Sequence, residues 1–270
     1  MSSPTTVWGY RSWILNLARR ELAVRHKRSV LGWTWSLINP AATLAIYAAV
    51  FGAFLRMEPP VAGNGTLKNF AVYLFIALVM WNFFNAVVNG SMTGLSAAGP
   101  MLSKVYFPPE SPAIANLLAA MVQVGLEASI AALLLIVLGN VSWTFLLWPP
   151  IIVLLATFSL GFGLLVSVYN IVYRDVTYLV GIFMQMLFYA TPIVYPIDIV
   201  NVSFAGVDAR WVIENLNPLS SFVASTRDVM YLLEVPPWHD WLIMAGWSVG
   251  MLALGWFAFG RKAADLIEEL

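Results

Sequence analysis

No cysteine occurs in the 270-residue chain. Disulfide frameworks, thiolate nucleophiles and cysteine metal sites are excluded at once. Charge is scarce as well. Asp, Glu, Lys and Arg make up 10% of the residues, against about 25% in an ordinary soluble domain. The 14 basic and 14 acidic side chains cancel. Without a basic footprint, nucleic acid is not an expected partner. Histidine occurs only at His26 and His239. The reading below puts the two on opposite sides of a membrane, so they cannot share a metal or a proton relay. No G-x-x-x-x-G-K-[ST] element is present, so ATP is not expected to bind this chain through a P-loop. No catalytic residue set and no metal site can be assembled from local motifs, and catalysis by the chain alone is not expected.

What the chain has in abundance is apolar surface. Hydrophobic residues make up 60% of it, and the mean hydropathy is +0.80. A soluble protein of this length needs far more polar cover. The excess calls for lipid as a second solvent.

Six runs are long enough to cross about 30 Å of hydrocarbon as helices. They are 34–56, 70–97, 111–139, 143–170, 176–197 and 240–259. Membrane strands would alternate in ten-residue pieces, and these runs are continuous. Arg56 stands at the edge of the first run and Glu127 in the middle of the third. Basic residues then set the orientation. With the N-terminus inside, the inner face receives Arg11, Arg19, Arg20, Arg25, Lys27, Arg28, Lys104, Arg174, Arg261 and Lys262. The outer face receives only Arg56, Lys68, Arg210 and Arg227. An even number of crossings returns the C-terminus to the inner side. Six basic residues also precede the first long run, which is too long for a signal-peptide core, so no cleavable signal is expected.

The expected fold is an all-α polytopic membrane protein with six transmembrane helices. An N-terminal amphipathic helix lies at the inner surface, within residues 1–33. The six-helix domain occupies 34–270 and includes a cytoplasmic tail at 260–270. Short re-entrant helices sit on the outer side between helices five and six, within 198–236.

Several segments carry chemistry. Residues 8–33 mix Trp and basic side chains, which suits the plane of an inner leaflet. On a helical wheel Trp13, Leu17 and Val24 fall together, and Arg20 intrudes on that face. The segment `GPMLSKVYFPPE` at 99–110 is either a docking loop with exposed apolar residues or a buried re-entry turn. Arg174–Asp175 stands where two apolar helices meet water. It is either a simple loop marker or a contact that fixes a short turn. Glu127, one turn after Gln123, is an intramembrane carboxylate. A hydrogen bond to a neighbouring helix or a protonated state is the ordinary reading, and a proton relay the sharper one.

Residues 198–239 are too long for a structureless loop. Asn217–Pro218 can start a short helix. Leu216, Leu219, Phe222 and Val223 have near-helical spacing, as do Val229, Leu232 and Leu233. With Tyr195 and Arg227, this segment is an outer gate or a packed cap. Aromatics are plentiful, with 12 Trp, 10 Tyr and 16 Phe. Tyr73, Trp81, Phe84, Phe188 and Tyr189 are either core or belt residues, or stacking surfaces for sugar rings.

Taken in order, `RRELAVRHKRSVLGWTWSLINP` (19–40), `LSKVYFPPE` (102–110), `YNIVYRDVTYLV` (169–180), `MLFYATPIVYP` (186–196) and `NLNPLSSFVASTRDVM` (215–230) span most of the chain. This set resembles the membrane subunit of type-2 ABC exporters, in the branch that moves O-antigen, teichoic acid, capsule and related glycans. The resemblance implies that two copies form a channel in the bacterial plasma membrane, with both termini cytoplasmic. Each copy would pair with a separate ATP-binding subunit, which would carry ATP and Mg; this chain would carry no cofactor. The cargo implied is a polysaccharide on a lipid-pyrophosphate carrier. The N-terminal helix, with Arg19, Arg20 and Arg25, and the coupling segment 99–109 would contact the ATP-binding subunit. Lys104, Tyr106, Phe107, Pro108 and Glu110 match the coupling element, and Arg174 and Asp175 the charged pair at the inner end of span four. A drug or small-lipid exporter is the near alternative. A membrane-embedded glycosyl- or acyltransferase, or a scaffold without transport, is the more distant one.

Overall fold

The computed structural model describes residues 4–25, 31–57, 59–102, 107–173, 175–197, 200, 203–204 and 207–269. It begins with two helices, α1 (Pro4–Gly9) and α2 (Arg11–Arg25). Helix α3 (Trp35–Tyr47) runs on into a π-helical turn at Ala48–Phe54. Then come α4 (Phe70–Leu102), α5 (Ser111–Val137), α6 (Trp148–Val172) and α7 (Val176–Ala190). Two-residue strands β1 (Ser203–Phe204) and β2 (Val207–Asp208) pair antiparallel, with Ser203 opposite Asp208. Helices α8 (Ala209–Asn215) and α9 (Pro218–Arg227) follow, then a second π-helical turn at Asp228–Leu232 and α10 (Trp238–Glu269).

Local chemistry explains most of the boundaries. Prolines near the starts of α5, α6 and α9 fall where a missing N–H costs nothing. Ser142 accepts from the N–H of Thr144 and opens the 3₁₀ turn (Trp143–Leu147) that leads into α6. Asn217 caps α9 by accepting from the N–H of Leu219 at 3.1 Å.

Among the described residues, five helical segments are long and apolar enough to cross a membrane: Trp35–Phe54, Phe70–Ala98, Ser111–Val137, Trp143–Val172 and Trp238–Lys262. The run expected at 176–197 is different. Its helix stops at Ala190, because Thr191 precedes Pro192 and turns to extended backbone. The 15 residues of α7 reach about 22 Å, short of the hydrocarbon thickness.

Helix α4 is the hub, buried along most of its length between α5 and α6. Helix α6 packs most closely on α10, and the cause is a pair of glycines. A Cβ added at Gly255 would lie 2.0 Å from the carbonyl oxygen of Gly161. Only glycine lets these backbones meet. The main core is large side chains of α4 against α5, α6 and α9, with Phe84 stacked on Phe158 at 5.6 Å and tilted against Phe162 at 5.8 Å. Helix α3 is almost wholly exposed, and so is the apolar flank of α7 carrying Tyr178, Leu179, Ile182 and Met186. Such faces require lipid or another protein.

The amphipathic N-terminal segment buries a different stripe from the expected one. Val7 of α1 and Ile14 and Ala18 of α2 pack on Ala115 of α5, with Leu17 half-buried beside them. Val24 is exposed. The stripe follows the contact with α5, which a wheel drawn for one isolated helix does not contain.

Candidate functional site

Polar chemistry collects in three places. The first is the outer cap, where two distant sequence motifs are joined (Thr191–Pro196, which follows α7, and Asn217–Met230). Asn217 donates from Nδ2 to the Ala190 carbonyl at 3.1 Å and to Thr191 Oγ1 at 2.9 Å. Thr191 in turn donates to the Leu187 carbonyl at 2.8 Å. Arg227 closes the other end. Its guanidinium donates to the carbonyls of Pro192 at 2.5 Å, Ile193 at 2.7 Å and Tyr73 at 3.3 Å. It also lies 3.7 Å from the centre of the Tyr73 ring. The Pro192 and Ile193 carbonyls lie just past the break of α7, where no helical partner follows, and the Tyr73 carbonyl belongs to the first turn of α4. Arg227 thus ties the end of α7 to the start of α4 through α9.

Burial lowers the Arg227 pKa to about 10, which leaves it protonated at neutral pH. Burial pushes Asp228 up to about 7, aided by the nearby carboxylates of Asp240 and Glu234 and opposed by Arg227. The π-helical turn after α9 is held from outside. Asn140 donates to the carbonyls of Met230 at 3.1 Å and Tyr231 at 3.0 Å, and Thr144 donates to Val229 at 2.7 Å. Leu233 ends the turn in left-handed backbone, with φ of 59°. Asn140 and Thr144 were not singled out in the sequence. The signal was there: Gly-Asn followed by Ser-x-Thr between two apolar runs marks a turn whose side chains bond to backbone.

The second place is the outward side of α4. Asn82, Asn85, Asn89 and Thr93 recur at helical spacing, and all four are exposed or half-buried. Asn89 is hydrogen-bonded to Asn85, and Thr93 donates to the Asn89 carbonyl at 3.0 Å. A groove of about 410 Å³ opens between this stripe and α7, lined by Asn85, Asn89, Gln185, Trp81, Phe188 and Tyr189. The Trp81 and Phe188 rings meet edge-on at 5.2 Å, and Phe188 and Tyr189 at 5.3 Å. Glu127 sits above the stripe, bonded to Gln123 at 2.9 Å and to Asn82. Gln123 also donates to the Ser36 carbonyl of α3 at 3.5 Å. Glu127 therefore links neighbouring helices. The amide stripe was missed in the sequence because each Asn looks like an isolated polar residue in an apolar run.

The five candidate channel aromatics separate. Trp81, Phe188 and Tyr189 border the groove. Phe84 is fully buried among rings, and Tyr73 is buried under Arg227. Neither offers surface to a passage in this structure. Of the outer residues, Phe222 is fully buried near Phe158, while Tyr195 donates its hydroxyl to the Tyr189 carbonyl at 3.0 Å.

The third place is the inner shelf. Arg19 and Arg20 are exposed on α2. Phe107 belongs to the segment that the sequence left open as a docking loop or a buried turn, and it is buried with its ring 5.7 Å from that of Trp13. Pro108 and Glu110 are buried as well. Helix α2 meets this segment through Trp13. Lys104, Tyr106 and Arg174 lie outside the described residues, as does the Arg25 side chain. Asp175 is exposed just before α7. Among the described residues, no group of His, Asp and Glu is placed to hold a metal ion.

Long apolar helices, with a polar stripe on the hub helix, define a multi-pass membrane protein. A family model described as ABC-2 type transporter matches residues 14–231. The chain belongs to that family, and it is a multi-pass transport permease of the bacterial plasma membrane. It is 26% identical to the O-antigen export system permease protein RfbA of Myxococcus xanthus over 98% of this chain and 97% of that protein. A protein of the same name from Klebsiella pneumoniae is 27% identical over 79% and 78%. The polysialic acid transport protein KpsM of Escherichia coli is 21% identical over 78% of each.

Proposed function

We propose that two copies of this chain form the channel of an ATP-driven exporter. The cargo is a polysaccharide on a lipid-pyrophosphate carrier, taken from the cytoplasmic leaflet to the outer side. One observation carries this reading: the stripe of Asn82, Asn85, Asn89 and Thr93 on the outward side of α4. Amides that face lipid are costly, and within a membrane they belong on a helix contact or a water-filled path. A neighbouring groove of Trp81, Phe188 and Tyr189 supplies flat apolar faces beside those amides. Sugar rings have matching surfaces, with C–H faces for aromatic planes and hydroxyls for amides. The exposed flanks of α3 and α7 are the parts of this chain that a second copy would cover.

Helix α7, with the turn that follows it, serves as the sixth crossing, and both chain ends lie in the cytoplasm. Residues 34–270 form the membrane domain. The surface near Arg19, Arg20 and Arg25, with residues 99–109, receives one of two separate ATP-binding subunits, which carry ATP and Mg. Arg174 and Asp175 mark the inner turn beside it. Residues 198–236 close the outer end.

Two measurements test the reading. Affinity-purified permease should bring down an ATP-binding protein, and depleted cells should accumulate a lipid-linked glycan inside. Accumulation of no lipid-linked polymer, with the permease demonstrably gone, refutes the cargo.

A further inference from the structure

Behind α9 lies a cavity of about 380 Å³ that the export route above does not use. Ser220, Ser221, Ala224, Arg227 and Asp228 all line it, so it is walled by one face of the helix and the residue that follows it. Glu214 of α8 and Asp240 of α10 face it from the other elements. The size falls in the lower part of the range for small-molecule sites, about 300–1,000 Å³.

Two observations in this cavity point to a ligand. Ser220 and Ser221 are 4% and 3% exposed, and neither hydroxyl has a hydrogen-bond partner among the described residues. Several buried helical hydroxyls return to a carbonyl one turn back, as Thr226 does to Phe222 at 2.8 Å and Ser159 to Leu155 at 2.6 Å, whereas Ser111 and Ser225, which do not line this cavity, share the lack of a partner among the described residues. Ser220 and Ser221 sit in the first turn of α9, where that carbonyl belongs to the chain before the helix. Their partner must come from outside the helix. The second observation is the charge. The Arg227 guanidinium is committed to three backbone carbonyls. The remaining charged groups on the wall are mostly acids: Glu214, which is paired with Arg210, Asp228, and Asp240, which is paired with His239. Such a wall repels phosphate and accepts from hydroxyls.

We propose that this cavity is an outer-side subsite for one neutral sugar residue, held by the hydroxyls of Ser220 and Ser221 and by the Asp228 and Asp240 carboxylates. It rests on the polysaccharide reading above and places one contact of the cargo on the helix that carries the Arg227 clamp.

The absence of cysteine makes the test direct. Ala224 lines the cavity and is exposed, so Ala224→Cys keeps both serines. The full chain in lipid nanodiscs is labelled with a small water-soluble methanethiosulfonate, alone or with the methyl pyranosides of glucose, galactose, mannose or rhamnose. Inorganic phosphate at equal concentration is the control. At least one pyranoside should slow labelling threefold or more. Adding Ser220→Ala and Ser221→Ala should abolish that protection, and phosphate should give none. No protection by any pyranoside, or equal protection by phosphate, overturns the subsite. Saturation-transfer NMR of the same pyranosides with the unmutated chain, against the double serine variant, decides the matter should Ala224→Cys fail to fold. Glycan accumulation without pyranoside protection removes the subsite alone; protection without accumulation removes the cargo reading alone.

Discussion

Replacing Arg227 by Met keeps most of the side-chain length and removes every polar contact of the outer clamp. Three carbonyls then lose their donors: Pro192, Ile193 and Tyr73. Hydrogen bonds to a charged group contribute about 1.5–3 kcal/mol each, and the contact with the Tyr73 ring adds about 0.5–2 kcal/mol. Against this stands the relief of no longer burying a guanidinium, several kcal/mol in its own right. The balance is a loss of about 2–4 kcal/mol, confined to the cap because all partners lie at its edge. A local loss is read by local opening, not by a global melt. Val223 of α9 is buried, so Val223→Cys in the otherwise cysteine-free chain reacts only when the cap opens. At about 1.4 kcal/mol per tenfold, Arg227→Met should speed labelling by about 30- to 700-fold. Arg227→Lys should fall between, since an ammonium keeps the charge without the planar fork. A change under threefold in folded Arg227→Met protein would refute the clamp.

The Asp228 carboxyl, raised to about 7, favours the folded cap when protonated. Its contribution is therefore complete below the ordinary carboxylate range and lost as pH rises through about 7. Asp228→Asn should flatten cap opening between pH 5 and 8 and close the cap more tightly than wild type at pH 8; parallel pH curves would count against it. Gly255→Ala drives a methyl into the Gly161 carbonyl and should lower thermal stability by about 1–3 kcal/mol or more, measured as the melting midpoint in detergent. Asn85→Leu with Asn89→Leu should leave membrane insertion intact and abolish glycan export; normal export in cells carrying this pair would deny the stripe its place on the route. Single cysteines at Val141 and Asp175 should label from opposite sides of the membrane, and same-side labelling would overturn the topology.

Much of the framework was legible in the amino-acid pattern. Long apolar runs at 70–97, 111–139 and 143–170 became α4, α5 and α6 because lipid-compatible helices need little beyond length and hydropathy. Asn217–Pro218 started α9 as its turn chemistry required. The failures share a cause. Whether Phe107 is exposed or buried stayed open in the sequence because nothing local shows that Trp13 of α2 packs against it. Phe84 and Trp81 are three residues apart on one helix, yet Phe84 is core and Trp81 borders a groove. The buried stripe of Val7, Ile14 and Ala18 was set by contact with α5.

Composition and run length alone determined that this chain dissolves in a bilayer as helices, since hydropathy adds up residue by residue along the chain. Only the tertiary structure decided that Arg227 reaches from α9 to the broken end of α7 and the start of α4. The same holds for Asn82, Asn85, Asn89 and Thr93, which form an open face only once the other sides of α4 are covered. Both outcomes depend on which surfaces meet between separate segments of the chain, from 34 to 154 residues apart for Arg227, and spacing along one segment carries no record of that.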